Sequence, residues 1–125
     1  MNLVDSSAWL EYFANGPNTP FFAPAIENSR ELIVPTIVIL EVYKRVLQQR
    51  NARAALEAIA VLQQGRIVDL TATLAIAAAK VSYSEKLPMA DSIILATARA
   101  ESAIIWTQDA DFKEIEHVRF RARKS

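Results

Sequence analysis

Four carboxylates could do chemistry together in this 125-residue sequence: Asp5, Glu41, Asp91 and Asp109. Asp5 and Asp109 follow short apolar segments with the pattern of strands, and Glu41 and Asp91 lie near the starts of predicted helices. In open parallel sheets, ligands bind outside the carboxyl ends of the strands, where such positions meet. Clustered carboxylates repel one another unless a cation compensates, so the set predicts a metal site.

The ligand types indicate which ion this site would hold. Oxygen ligands select hard ions such as Mg²⁺ or Mn²⁺, whereas zinc favours cysteine and histidine, and the sequence has no cysteine and only His117. Magnesium keeps several waters and pairs with substrate phosphates. The chemistry indicated is therefore phosphoryl or phosphodiester hydrolysis by a metal-activated water, with one ion or two.

Each carboxylate also has a structural explanation when taken alone. Asp5 would cap a helix that begins at residue 6 or 7, Asp91 would interact with a helix dipole, and Asp109 would stabilise a turn. Glu41 could pair with Lys44 on an exposed face, although its apolar neighbours one turn back indicate partial burial. Convergence on one crevice is what favours the functional interpretation.

Four polar residues beside these carboxylates could support the site from a second layer. The hydroxyls of Ser6, Ser7 and Thr107 could orient a carboxylate or a metal-bound water, and Asp111 could assist or replace Asp109. Helix capping and turn formation explain these residues about as well.

Basic residues show no overall excess, because 14 Lys and Arg balance 14 Asp and Glu for a net charge of zero. Bulk charge therefore gives no attraction toward a polyanion. Lys44, Arg45 and Arg50 could nevertheless contact a nucleic-acid backbone, or could simply be solvated. The basic ending could be an edge strand with a frayed tail or a phosphate-binding strip: Arg119, Arg121, Arg123 and Lys124.

Short β-prone segments alternate with longer amphipathic ones, which is typical of a parallel sheet with helices on both faces. We predict a single α/β domain over residues 1–125. The predicted strands cover residues 2–4, 32–34, 66–69, 103–106 and 117–120. The predicted helices cover residues 6–13, 21–28, 36–49, 52–64, 71–85 and 88–101.

Local signals support several of these boundaries. Thr36 is a plausible N-cap, Gly65 suits the position just past a helix, and Pro88 suits a first helical residue. Pro24 is tolerable only within the first turn of its helix. The apolar helix around Leu56 could be core, a dimer seam or a partner's groove, with core as the safest assignment.

Several protein classes are excluded. Two isolated glycines rule out a phosphate-cradling loop, and no apolar run approaches the roughly 20 residues of a membrane-spanning helix. The amino terminus lacks a signal peptide, and the absence of cysteine fits a reducing compartment, so we expect a cytoplasmic protein without membrane contact.

Four ordered segments resemble the PIN-domain family, and specifically the VapC-type toxins of type II toxin–antitoxin systems. They are VDSSAWL at residues 4–10, LEV at 40–42, PMADSIILATA at 88–98 and WTQDADF at 106–112. The resemblance implies a three-layer α/β/α sandwich with a short parallel sheet of four to five strands. It also implies Mg²⁺- or Mn²⁺-dependent endoribonuclease activity.

The resemblance also implies roles for the acidic residues. Asp5, Glu41 and Asp91 would form the core of the site, Asp109 would be a ligand or water-orienting residue, and Asp111 would support it. The resemblance further implies a homodimer, an RNA substrate and a cognate VapB-like antitoxin lying over the crevice.

Two alternatives remain. A PIN-like module could bind RNA or protein without cleavage. A phosphatase could use Asp5 as a covalent nucleophile. The haloacid-dehalogenase pattern, however, places a second aspartate two residues later, where this sequence has Ser7.

Overall fold

The computed structural model describes residues 1–124, so only Ser125 of the predicted domain lies outside the described residues. Five short strands form one sheet in which every pairing is parallel. They are β1 (Asn2–Val4), β2 (Leu32–Pro35), β3 (Arg66–Val68), β4 (Ile104–Thr107) and β5 (Val118–Phe120). Their order across the sheet is β3-β2-β1-β4-β5. The predicted α/β class and short parallel sheet of four to five strands are confirmed, with five strands observed.

Helices account for most of the remaining chain and flank the sheet, as the predicted three-layer arrangement requires. They are α1 (Ser6–Phe13), α2 (Thr19–Glu27), α3 (Thr36–Gln49), α4 (Ala52–Leu62), α5 (Ala72–Glu85) and α6 (Met89–Ala100). Two short 3₁₀ turns cover Ser29–Glu31 and Ala110–Phe112. Across residues 1–124, none of the helices has the length and apolar character needed to cross a membrane.

The central strands lie in the core of the protein. Leu3, Ile33 and Ile105 are each no more than 1% exposed, as expected for parallel strands that are covered on both faces. Trp9 of α1 and Phe112 after β4 are fully buried in the same cluster. The buried strands therefore hold their carboxyl ends in fixed relative positions.

The strand order places a topological switch point between β1 and β4. The chain leaves β1 for β2 and β3 on one side, and then returns to β4 and β5 on the other. The backbone N–H of Asp5 donates to the carbonyl of Trp106 at 3.1 Å, which ties the end of β1 to the end of β4. Open α/β sheets bind ligands at such a point, and the acidic residues that follow β1 and β4 meet there.

The second helix differs from its prediction. It begins at Thr19 rather than at residue 21, because the carbonyl of Asn18 accepts hydrogen bonds from Phe21 and Phe22. Pro20 occupies the first turn, where a missing N–H is harmless. Pro24 therefore lies inside the helix, and the expectation that it falls in the first turn is wrong. Pro24 lies at an exposed position of the helix.

The predictions for the first residues of two other helices are wrong. Pro35, not Thr36, is the N-cap of α3, and the Thr36 hydroxyl accepts from the N–H of Leu70 instead. Pro88 is likewise an N-cap rather than a first helical residue.

Gly65 lies beyond the end of α4 but does not adopt the left-handed conformation expected past a helix. A side chain there would meet the carbonyl oxygen of Leu32 and a methyl group of Val34 at 3.0 Å. Close approach to β2 is therefore what requires glycine at this position.

Candidate active site

Three aspartates meet at the carboxyl end of β4. Asp91 is the third residue of α6, and Asp109 and Asp111 belong to the loop that follows β4. One carboxylate oxygen from each of the three lies within 4.8 Å of the others. The N–H of Asp111 donates to Oδ1 of Asp109 at 2.9 Å, so the backbone of the turn orients the Asp109 side chain. The structure brings both Asp109 and Asp111 to the cluster, where the sequence left the choice between them open.

Asp5 is buried next to this group, with only 2% of its surface exposed. Its carboxylate accepts hydrogen bonds from Ser7 Oγ at 2.7 Å, Thr107 Oγ1 at 2.7 Å and the Ala8 N–H at 3.1 Å. The bond from Ala8 makes Asp5 the N-cap of α1. The capping interpretation is therefore correct and is compatible with a place at the site.

Thr107 connects Asp5 to the aspartate cluster. Its hydroxyl donates to Asp5 Oδ2 and accepts from the N–H of Asp109 at 2.8 Å. The Ser7 hydroxyl accepts from the N–H of Gln108 at 3.3 Å, which fixes the start of α1 against the same loop. Two of the residues expected to form a second layer, Ser7 and Thr107, thus restrain the orientation of the acidic groups.

The electrostatics of the cluster are unfavourable for several simultaneous negative charges. Burial raises the pKa of Asp5 to about 6, although the hydrogen bonds from Thr107 and Ser7 oppose the rise. Burial first, and then the charge of Asp109 and the contact with Asp111, raise the pKa of Asp91 to about 8. A bound cation would relieve this crowding, because opposite charge favours the ionised form of each carboxylate.

Glu41 lies outside the group of three aspartates but shares a cleft with one of them. The cleft has a volume of about 770 Å³, and Glu41 of α3 and Asp109 both line it. Oε1 of Glu41 accepts from Ser6 Oγ at 2.7 Å, and the residue is half-buried. Within residues 1–124 Glu41 forms no ion pair, so the partly buried alternative is the one observed.

The basic residues singled out from the sequence occupy two different surfaces. Lys44 and Arg45 line the cleft beside Glu41. Arg50 lines a separate groove of about 330 Å³ with residues of α1 and α4. Arg123, from the basic ending of the sequence, reaches the acidic cleft. The sequence signalled this residue only as part of a basic run.

Sequence reasoning missed two buried polar residues near the site. Asn18, 1% exposed, donates through Nδ2 to Gln108 Oε1 at 3.0 Å and to the carbonyl of Ala122 at 2.9 Å. Gln108 is 4% exposed and adjoins Asp109. Asn18 follows a Gly-Pro pair and has the pattern of an ordinary turn residue, so no local signal could have found it.

Several solved structures with the same fold are described as toxins or toxin–antitoxin complexes. A chain of a toxin–antitoxin complex from Klebsiella pneumoniae aligns with a TM-score of 0.79 and 21% identity, covering 95% of this chain and 96% of that one. VapC20 of Mycobacterium tuberculosis, described as a sarcin–ricin loop cleaving toxin, aligns at 0.79 and 18%, covering 93% and 95%. A chain of VapBC2 from Rickettsia felis, bound to a promoter DNA fragment, aligns at 0.73 and 16%, covering 97% of each chain.

A search of curated proteins finds no match. The sequence model of the PIN domain, however, matches residues 3–118, which include all the acidic positions described above and the whole sheet except Asn2 of β1 and the last two residues of β5. Since that match extends over nearly the whole chain, the protein belongs to the PIN-domain family.

Proposed function

We propose that this protein is a divalent-metal-dependent endoribonuclease and the toxin of a toxin–antitoxin pair. The observation that carries the proposal is the convergence of Asp91, Asp109 and Asp111 beside buried Asp5 at the switch point of a PIN-domain sheet. The fold neighbours include a toxin described as cleaving the sarcin–ricin loop, which supports RNA as the substrate class.

The residues of the cluster suit a hard cation. Asp91, Asp109 and Asp111 offer only carboxylate oxygens, the donors that Mg²⁺ and Mn²⁺ prefer, and they would hold the ion with Asp5 beside them. When bound, such an ion would polarise a phosphodiester and lower the pKa of a water, so that the water can lose a proton and act as the nucleophile. The crowded negative charge of the cluster is consistent with this assignment.

The remaining residues of the site position groups around the cluster. Thr107 and Ser7 hold the Asp5 carboxylate in one orientation. Across the cleft, Glu41 uses Oε1 to accept from Ser6, which leaves Oε2 to orient a water or a ribose hydroxyl.

Lys44 and Arg45 form the basic side of the cleft and would contact the phosphate backbone of a bound RNA. Arg50 lies in the neighbouring groove, so it would contact only RNA that extends beyond the cleft. A neutral protein with this local arrangement would hold RNA by a few contacts near the site rather than by bulk charge.

The proposed partners are a VapB-like antitoxin and a second copy of the chain. The proposed compartment is the cytoplasm, because a sequence without cysteine suits a reducing environment. Ala58 and Leu62 of α4 are core, whereas Leu56 is 62% exposed and available to a partner. On α5 and α6, Tyr83 and Met89 are 89% and 79% exposed beside an apolar cleft of about 600 Å³. Light scattering of the purified protein and of Tyr83→Glu would test whether this face joins two copies.

The test of the activity is an assay of purified protein, freed of any antitoxin, on structured RNAs with Mg²⁺, Mn²⁺ or EDTA. Asp5→Asn should abolish cleavage, and Asp69→Asn should not, because Asp69 is exposed and outside the cluster. If the wild type cuts RNA no faster than Asp5→Asn does, the ribonuclease assignment fails and the non-catalytic binding module becomes the better interpretation.

The phosphatase alternative has weaker support. Covalent attack needs an accessible carboxylate oxygen, but both oxygens of Asp5 are buried and hydrogen-bonded.

A further inference from the structure

The last described residues, 121–124, form a C-terminal arm that is attached to the protein at three points. The N–H of Arg121 donates to the carbonyl of Thr107 at 3.1 Å. Its guanidinium lies over the ring of Phe21, 4.4 Å from the centroid. The carbonyl of Ala122 accepts from Asn18 Nδ2 at 2.9 Å. The arm is therefore held against the body of the domain.

Asn18 ties this arm to the acidic loop. Its two Nδ2 hydrogens serve the arm at Ala122 and the side chain of Gln108, the residue before Asp109. A buried amide needs such partners, since an unsatisfied donor in the interior is costly. One buried side chain thus links the arm to the acidic loop, in addition to the two contacts made by Arg121.

The consequence of this attachment is the position of Arg123. Arg123 lines the cleft that also contains Glu41, Asp109 and Arg45, and it lines a smaller adjoining cleft of about 360 Å³ with Arg45. In the part of the chain that the structure describes, Arg123 forms no ion pair with any carboxylate. Its guanidinium therefore remains available to an external anion.

We propose that the C-terminal arm is an RNA-binding wall of the cleft, in which Arg123, together with Arg45, binds the substrate's phosphodiester backbone. A guanidinium presents paired N–H donors that match two phosphate oxygens, which lysine cannot do. The inference rests on the proposed ribonuclease function for the identity of the polyanion. Within it, Arg123 is a substrate-binding residue, and Asn18 is a positioning residue that acts through the arm.

A binding assay in EDTA tests the contact without cleavage. Fluorescence anisotropy would follow a labelled single-stranded 12-mer RNA with wild type, Arg123→Gln and Arg119→Gln over a range of salt concentrations. Arg119 is the matched control, since it is an exposed arginine of β5 that does not line the cleft. Losing one phosphate contact should reduce the salt slope by about 0.7 and the affinity about fivefold at 0.1 M salt.

The role of the arm is tested by Asn18→Ala, checked for folding by its Tm. It should weaken RNA binding as Arg123→Gln does, although it removes no charge, and the double variant should bind no more weakly than Arg123→Gln alone. Additive losses would mean that Asn18 does not act through Arg123. That result would overturn the arm's role.

Cleavage kinetics separate this inference from the proposed activity. With Mg²⁺, Arg123→Gln should raise KM about fivefold and change kcat less than twofold, because a backbone contact exists before and during the reaction. If the wild type cleaves RNA but Arg123→Gln matches Arg119→Gln in KM and salt slope, the arm proposal fails alone. The arm proposal also fails if the wild type binds no RNA. If Arg123→Gln binds Mg²⁺ more tightly but RNA equally well, Arg123 neutralises the carboxylates rather than binding RNA, and the arm proposal again fails. If Arg123 alters RNA binding but nothing is cleaved, the ribonuclease proposal fails and the arm proposal stands.

Discussion

Replacing Asp91 by asparagine should stabilise the metal-free protein at and above neutral pH. Burial and the neighbouring Asp109 and Asp111 raise the pKa of Asp91 from 3.8 to about 8. The unfolded chain therefore releases this proton at lower pH than the folded chain does, so stability falls as the pH rises from about 4 to about 8. Asparagine carries no charge, so the variant avoids this loss of stability.

The magnitude follows from the same two pKa values. A carboxyl that titrates near pH 8 when folded and near 3.8 when unfolded costs about 6 kcal/mol when fully ionised, if solvent screens none of it. Because Asp91 is only half-buried, solvent screening reduces this cost of ionisation to about 2 kcal/mol. Asparagine forgoes about 0.5 kcal/mol of interaction with the α6 dipole. The net gain of about 1–2 kcal/mol corresponds to about 4–8 °C in Tm for a chain of this size.

Thermal unfolding followed by circular dichroism in EDTA would measure this effect at pH 4, 6 and 8. The curves of wild type and Asp91→Asn should coincide at pH 4 and separate by pH 8, with the variant higher, while Asp69→Asn follows the wild type. Added Mg²⁺ should then raise the Tm of the wild type more than that of Asp91→Asn. If Asp91→Asn is less stable than the wild type at pH 8 in EDTA, Asp91 serves mainly the helix terminus and the reasoning from charge crowding is refuted.

Three further substitutions test other parts of the structure. Thr107→Val should reduce RNA cleavage about 10- to 100-fold by freeing the Asp5 carboxylate, Thr107→Ser should restore it, and an active valine variant would contradict the orienting role. Glu41→Gln should lower kcat at least about 100-fold with little change in urea unfolding, because the amide oxygen can still accept from Ser6. Gly65→Ala should destabilise the protein by about 1–2 kcal/mol in urea, since its methyl would lie 3.0 Å from a β2 carbonyl oxygen. An equally stable alanine variant would show that β2 can move aside.

The elements could be predicted because apolar periodicity is a local property of the chain. The strands 2–4 and 32–34 and the helix 36–49 match the structure closely, since their cores are continuous apolar segments. Two of the errors occur where a distant contact decides a local feature. Gly65 is set by its approach to β2, and Thr36 by the backbone of Leu70. Neither contact leaves a pattern in the neighbouring residues.

The candidate site was predictable in its types of residue but not in its internal arrangement. Strand ends and helix starts indicated Asp5, Asp91 and Asp109, because parallel strands present those positions at one edge. Asp111 is brought to Asp91 by the 3₁₀ turn after β4, whereas Glu41 lies on α3 outside that group and accepts from Ser6. Side-chain directions in loops do not follow from spacing.

By itself, the sequence determined the α/β class, the family resemblance and the supply of oxygen ligands for a hard ion, because these depend on residue types and their local periodicity. Only the tertiary structure decided that Thr107 links the Asp5 carboxylate to the backbone N–H of Asp109, and that buried Asn18 binds the arm that carries Arg123 to the cleft. The bond between Asn18 and Ala122 joins positions 104 residues apart. Contacts of that kind arise from how the helices and strands pack, which local sequence does not encode.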